Sequence, residues 1–152
     1  MRKPNDSLTR KTQTVKSFAW LATVGALAFS GSALAAQWNL ATPYGDASFH
    51  TKNTKQFAED VTEATDGELT VTVHSGGSLI SHGEIKPSVR RGTVQAGEIF
   101  LSILSNESPV YELDTLPGVA SSYEEAFALW QASKPDITEL FAKEGLMPLY
   151  AV

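Results

Sequence analysis

Glu68–Phe100, ELTVTVHSGGSLISHGEIKPSVRRGTVQAGEIF, decides the fold. Leu69, Val71 and Val73 alternate with Thr70, Thr72 and His74, and a period of two places the apolar set on one face of a β-strand. Ser75-Gly76-Gly77-Ser78 interrupts the alternation with turn residues. A short helix is predicted over His82–Arg91, closed by Gly92, the residue type favoured just past a helix end. Val94–Phe100 reads as a second strand. Strand, glycine loop, helix and strand within so few residues form a βαβ unit, whose strands run parallel. Ligands of such sheets bind beyond the carboxyl ends of the strands, which directs attention to the loops after Val73 and Phe100.

Working outward, Gln37–Thr42 predicts a first strand ended by the turn Pro43-Tyr44-Gly45-Asp46. Phe49–Ala64 has helical periodicity, with Phe57, Val61 and Ala64 on the apolar stripe, and Asp66-Gly67 stops it. Beyond Phe100 come a helical turn in Leu101–Glu107 and an irregular stretch over Pro109–Ser121. Ser122-Tyr123-Glu124-Glu125 is a capping box opening a helix, and Pro135 suits the first turn of a second one. Gly145 ends that helix, and Leu146–Val152 is expected to start a final strand. The order β-α-β-α-β, two helices, β belongs to the α/β class, a parallel sheet with helices on both faces. A chain stopping inside a strand leaves an edge without its partner and reads as incomplete.

The first 35 residues form a secretory signal peptide. Arg2, Lys3, Arg10, Lys11 and Lys16 precede an apolar run from Phe18 to Phe29. Ala33-Leu34-Ala35 then supplies small residues at the two positions a signal peptidase reads, so cleavage is expected after Ala35. The run is short for a bilayer span, and no membrane insertion is expected once the leader is removed. The leader holds five of the twelve Lys and Arg and one of the seventeen Asp and Glu, leaving seven against sixteen, a net −9. So acidic a surface argues against nucleic acid or anionic lipid as partner. The chain contains no cysteine, which removes disulfides, thiolate chemistry and cysteine-based zinc sites; an exported protein of this kind fits the periplasm.

Few residues suggest bond-making chemistry. His50, His74 and His82 share no helix at ligand spacing, so no metal is expected. The glycine loop lacks the Gly-Lys-Ser/Thr ending of a phosphate loop, and no G-x-S-x-G elbow presents a serine nucleophile. The loop reads either as a tight strand-to-helix turn or as N–H groups facing an anion. Glu98, inside a predicted strand, requires a partner or a ligand group if buried. Tyr44 and Ser102 follow predicted strands at the ligand end of the sheet. Arg90 and Arg91 occupy the last turn of a helix, where they complement its dipole.

The segments WNLATPYGDASFHTKNTKQFAEDV (38–61), GELTVTVHSGGSL (67–79) and RRGTVQAGEI (90–99), followed by Leu113-Asp114-Thr115-Leu116-Pro117, carry a resemblance in their order and spacing. Together they resemble the extracytoplasmic solute-binding proteins of TRAP (tripartite ATP-independent periplasmic) transporters, the DctP-like family, across residues 36–152. The resemblance implies a periplasmic-binding-protein type II-like clamshell, of which residues 36–152 hold mainly the first lobe, truncated before the second. It implies a non-enzymatic protein without cofactor that captures a small organic acid, a dicarboxylate or related carboxylate, and delivers it to TRAP permease subunits in the membrane. Tyr44, Glu98 and Ser102 take positions that line the cleft in such proteins, with His50, His74 and Ser78 as further candidates for the same wall. The arginine that clamps the ligand carboxylate is expected beyond Val152. Two positions depart from the family pattern: Pro87 falls where an unbroken helix is expected, so that helix is expected to kink or begin late, and Gly118 stands where an aromatic residue is common in the core. The alternatives are a non-functional remnant, a small secreted α/β enzyme, or a binding protein serving an ABC-type permease.

Overall fold

The computed structural model describes residues 35–152, and the leader expected over the first 35 residues lies outside them except for Ala35. Three parallel strands, β1 (Ala36–Ala41), β2 (Leu69–His74) and β3 (Ala96–Gly97), form a sheet in the order β2-β1-β3. Helix α1 (Phe49–Ala64) connects β1 to β2, and α2 (His82–Arg90) connects β2 to β3. Register pairs Trp38 with Val71 and Leu40 with Val73, and α1 covers this apolar face. On the opposite face Ala41 pairs with Gly97, and α2 lies so close that a Cβ on Gly97 would stand 2.3 Å from Ile85 Cγ2. Helices therefore flank the sheet on both sides, as right-handed crossovers of opposite direction require.

The α1 boundaries follow from its caps. Ser48 Oγ accepts from the His50 N–H at 3.3 Å, and the chain leaves the helix through positive φ at Asp66 and Gly67. The buried row is Thr51, Thr54 and Ala58, one step around from the expected stripe of Phe57, Val61 and Ala64. Threonines tolerate this burial because the helix satisfies their hydroxyls: Thr51 Oγ1 donates to Tyr44 O and Thr54 Oγ1 to His50 O, each at 2.9 Å.

Four expectations are corrected. β3 holds two residues rather than the stretch Val94–Phe100, because β1 supplies a ladder partner only as far as Ala41 before Pro43 turns it away. The N–H groups of Gln95 and Glu98 still reach Asn39 O and Ala41 O on either side. Pro87 neither ends α2 nor delays its start. The two helices expected around Pro135 are one, α3 (Tyr123–Ala142). Ser133, Ile137 and Phe141 form one continuous buried row on it, and Ile137 and Phe141 pack with Leu104 and Tyr111. That packing outweighs an interior proline penalty of about 3 kcal/mol. No strand forms over Leu146–Val152, since the sheet edge it would join is only the two residues of β3.

Two 3₁₀ helices, Leu101–Leu104 and Pro109–Thr115, bring Leu104 and Tyr111 to α3. The α3 cap is displaced from a reciprocal box. Ser122 Oγ accepts from the Glu125 N–H at 3.2 Å, while Glu125 Oε2 accepts from the Ser121 N–H at 2.6 Å. Behind this cluster Lys86, on α2, is buried with its Nζ between Glu107 and Glu144 Oε1, the latter at 2.5 Å. Burial alone would lower the Lys86 pKa, but its hydrogen bonds to both glutamates, reinforced by their charges, raise it.

Candidate ligand cleft at the ends of β1 and β3

In the order β2-β1-β3 the first crossover runs from β1 to β2 and the second runs back past β1 to β3, so a crevice opens between the carboxyl ends of β1 and β3. Tyr44, just past β1, is fixed there by its own backbone. Its N–H reaches Thr42 Oγ1 at 3.2 Å, and its C=O accepts from Thr51 Oγ1 at 2.9 Å and the Gly76 N–H at 2.8 Å. His50, in the first turn of α1, stacks on the Tyr44 ring at a centroid distance of 4.1 Å and on Phe49 at 4.0 Å. Glu98, the first residue after β3, points toward α1. Its Oε2 is 3.1 Å from Thr54 Oγ1 and its Oε1 is 3.2 Å from His50 Nδ1. This last contact has ion-pair distance without hydrogen-bond alignment, which leaves the buried Nδ1 unpartnered among the described residues.

These groups open onto a cavity of about 560 Å³ whose apolar walls include Trp38, Leu40, Phe57, Ile99 and Phe100. Tyr150, from the segment after α3, packs its ring 5.2 Å from Phe57 and also lines the cavity. Burial raises the Tyr44 phenol pKa and the Glu98 charge adds to it. Burial likewise raises that of Tyr150, against a lowering contact from Thr54 and with a further rise from Glu98. Both phenols are thus kept as O–H groups. Among the described residues no arginine lines the cavity. Lys86 does, with its ammonium committed to Glu107 and Glu144. The arrangement can hold a small polar molecule between an apolar wall and a carboxylate-imidazole-phenol edge, and it presents no activated nucleophile.

Of the residues singled out in the sequence, Tyr44, His50 and Glu98 come together here. Ser102 is half-buried in the first 3₁₀ helix and does not line the cavity. His74 pairs its Nε2 with Asn39 Oδ1 at 2.8 Å, away from the cavity. Ser78 is exposed in the turn after β2. The N–H groups of Gly76, Gly77 and Ser78 bond to the carbonyls of Tyr44, Thr42 and Ser75, so the loop is a tight turn in which these three donors are already committed. Arg90 meets Glu144 at 3.0 Å and Arg91 lies 3.8 Å from Glu84, both outside the cleft. His82 Nε2 accepts from the Phe100 N–H at 3.1 Å, and among the described residues no cluster of metal-ligating side chains occurs. Thr54, Phe57 and Tyr150 were not anticipated. Thr54 was findable, being four residues from His50 on the same face of α1.

Residues 40–151 match the model of the bacterial extracellular solute-binding proteins, family 7. The chain belongs to this family. Among similar solved structures is DctP6 of Bordetella pertussis, an extracytoplasmic solute receptor binding pyroglutamic acid. It is 42% identical with a TM-score of 0.75, over 76% of this chain and 38% of that one. A marine metagenome TRAP solute-binding protein specific for pyroglutamate is 38% identical with a TM-score of 0.73, over 75% and 38% of the two chains. A curated solute-binding protein of Albidiferax ferrireducens is 26% identical over 105 residues, 67% of this chain and 30% of its own. This family 7 chain thus spans 30–38% of the length of these relatives. Its parallel sheet with flanking helices is the fold they share over that part. Among the described residues no helix is long and apolar enough to cross a membrane.

Proposed function

We propose that residues 36–152 are the first lobe of a TRAP-type solute receptor, exported by cleavage after Ala35, that captures a small organic acid in the periplasm for uptake by a membrane permease. The observation that carries this reading is the meeting of Tyr44, His50, Thr54 and Glu98 at the crevice between β1 and β3, in a chain 42% identical to a pyroglutamate receptor. Pyroglutamate is the leading ligand, a five-membered lactam whose ring suits the apolar wall and whose carboxylate requires a cation that this cleft does not present. That cation belongs to the facing lobe, as an arginine giving bidentate recognition.

Capture is a matter of differential stability: ligand bridging two lobes favours the closed state over the open one by its additional contacts there. A single lobe makes only part of those contacts. Native protein recovered from the periplasm of its source cell is expected to bind pyroglutamate with a calorimetrically measurable heat, and residues 36–152 alone to bind it weakly or not at all. Absence of binding of any small carboxylate by the native protein overturns the proposed function. A micromolar or tighter Kd for residues 36–152 alone overturns the division of the site between two lobes.

A further inference from the structure

We propose that the Glu98 face of the cleft selects the neutral, hydrogen-bond-donating end of a monoanionic acid and rejects a second carboxylate, an inference that rests on the receptor reading above. The charge distribution around the cavity supports it. Glu98 and Asp114 both line it, and among the described residues no arginine does. The single lysine there, Lys86, is bound to Glu107 and Glu144. Lys55, on the neighbouring helix, is held outside the cavity by Asp46 at 2.7 Å. An anionic group entering at this end therefore meets negative charge with no free lysine or arginine to offset it.

Glu98 also has acceptor capacity to spare. An ionised carboxylate offers about four lone-pair sites. Among the described residues, Thr54 Oγ1 is its only hydrogen-bond partner, and that hydroxyl's one proton also serves His50 O at 2.9 Å. The His50 contact is misaligned. With its side chain only 15% exposed, Glu98 cannot rely on bulk water for the remainder. A ligand N–H or O–H group placed beside Oε1 would complete the set, with the Tyr44 and Tyr150 hydroxyls available to an adjoining carbonyl. The chemical class that fits is an acid with one carboxylate and, across a small ring or short chain, an amide N–H or a hydroxyl.

The test compares three probes on native protein from the periplasm: pyroglutamate, its ring-oxygen analogue 5-oxotetrahydrofuran-2-carboxylate, and succinate. The unaltered protein is expected to bind pyroglutamate at least about tenfold more tightly than the ring-oxygen analogue, the size of a hydrogen bond to a charged group, and succinate more weakly still. Glu98→Gln, checked for folding by thermal unfolding, is expected to lose about tenfold in pyroglutamate affinity and to gain affinity for succinate, narrowing both ratios. Succinate binding the unaltered protein as tightly as pyroglutamate overturns the inference while leaving the receptor reading intact, and this comparison needs no variant. Unchanged ratios in a folded Glu98→Gln protein overturn it equally. Failure of the unaltered protein to bind any carboxylate overturns both.

Discussion

Replacing Gly97 by alanine tests how the sheet and α2 together place Glu98. The added Cβ would stand 2.3 Å from Ile85 Cγ2, 3.3 Å from Val89 Cγ2 and 3.6 Å from Ala41 O. Carbon atoms pack at about 3.5–4.0 Å, so Ile85 would have to retreat by roughly 1.5 Å. It has little freedom to do so: Ile85 is 1% exposed, and its Cγ2 is carried directly on a β-branched Cβ. The φ of Gly97 lies outside the positive region recorded for other glycines, so the penalty is steric. Overpacking of this kind costs about 1–3 kcal/mol, which for a lobe of this size lowers Tm by roughly 5–15 °C. Because the Glu98 N–H bonds to Ala41 O at 2.8 Å, lifting β3 or α2 also disturbs the carboxylate, and ligand affinity falls with Tm. Thermal unfolding followed by circular dichroism reads the first effect. Ile85→Leu removes the offending branch, and the double variant is expected to recover about 1 kcal/mol relative to the sum of the single changes. A Gly97→Ala protein with unchanged Tm, or strictly additive behaviour with Ile85→Leu, would refute the steric argument.

Lys86→Met would leave Glu107 and Glu144 facing each other without their shared cation. Both carboxylates are partly solvated, so the expected loss is about 2 kcal/mol in denaturant unfolding, below that for breaking a fully buried pair; no loss would mean the triad is energetically neutral. The same triad gives an acid signature. The hydrogen bond from Lys86 holds Glu144 below its ordinary value near 4.5, against the opposing effect of burial and with help from the Lys86 charge and Arg90. The folded lobe therefore binds fewer protons than the unfolded chain in that range, and the associated stability is present above pH 4.5 and lost as pH falls through the depressed value. Lys86→Met should flatten this part of the stability–pH curve, and an unchanged slope would count against the assignment. Ser122→Ala removes the acceptor of the Glu125 N–H and should cost about 1 kcal/mol in thermal unfolding, whereas a loss below a few tenths would show that the cap is replaced by water.

Much of the scaffold is legible in local sequence. The alternation at Leu69–Val73, the helical periodicity over Phe49–Ala64 and the Asp66-Gly67 stop lead to β2 and α1 with almost their observed bounds, because those signals act within one or two turns of chain. β3 is not legible in the same way. Its length depends on where its neighbour β1 bends at Pro43, which is a property of pairing between distant segments. Pro135 misleads for a related reason, since Ile137 and Phe141 are held by Leu104 and Tyr111 from elsewhere in the chain. In the cleft, Tyr44 follows from the rule that ligands gather at strand ends, and Glu98 from the cost of burying an unpaired carboxylate. Ser102 and Ser78 satisfy the strand-end rule yet stand outside the cavity, because one enters a 3₁₀ helix and the other a turn folded back onto the carbonyls of Thr42 and Tyr44. Tyr150 was hidden by the strand expected over Leu146–Val152; without that strand, the segment lines the cavity beside Phe57.

The central claim is that the crevice between β1 and β3 is where this lobe meets its ligand, and amide chemical-shift mapping tests it most directly. Native protein labelled with nitrogen-15 would be titrated with pyroglutamate. Shifts are expected to concentrate at Tyr44, His50, Thr54 and Glu98, with Ser78 and Ser102 little changed. Binding that moves the amides of the Ser75–Ser78 turn while leaving Tyr44, His50 and Glu98 in place would contradict it.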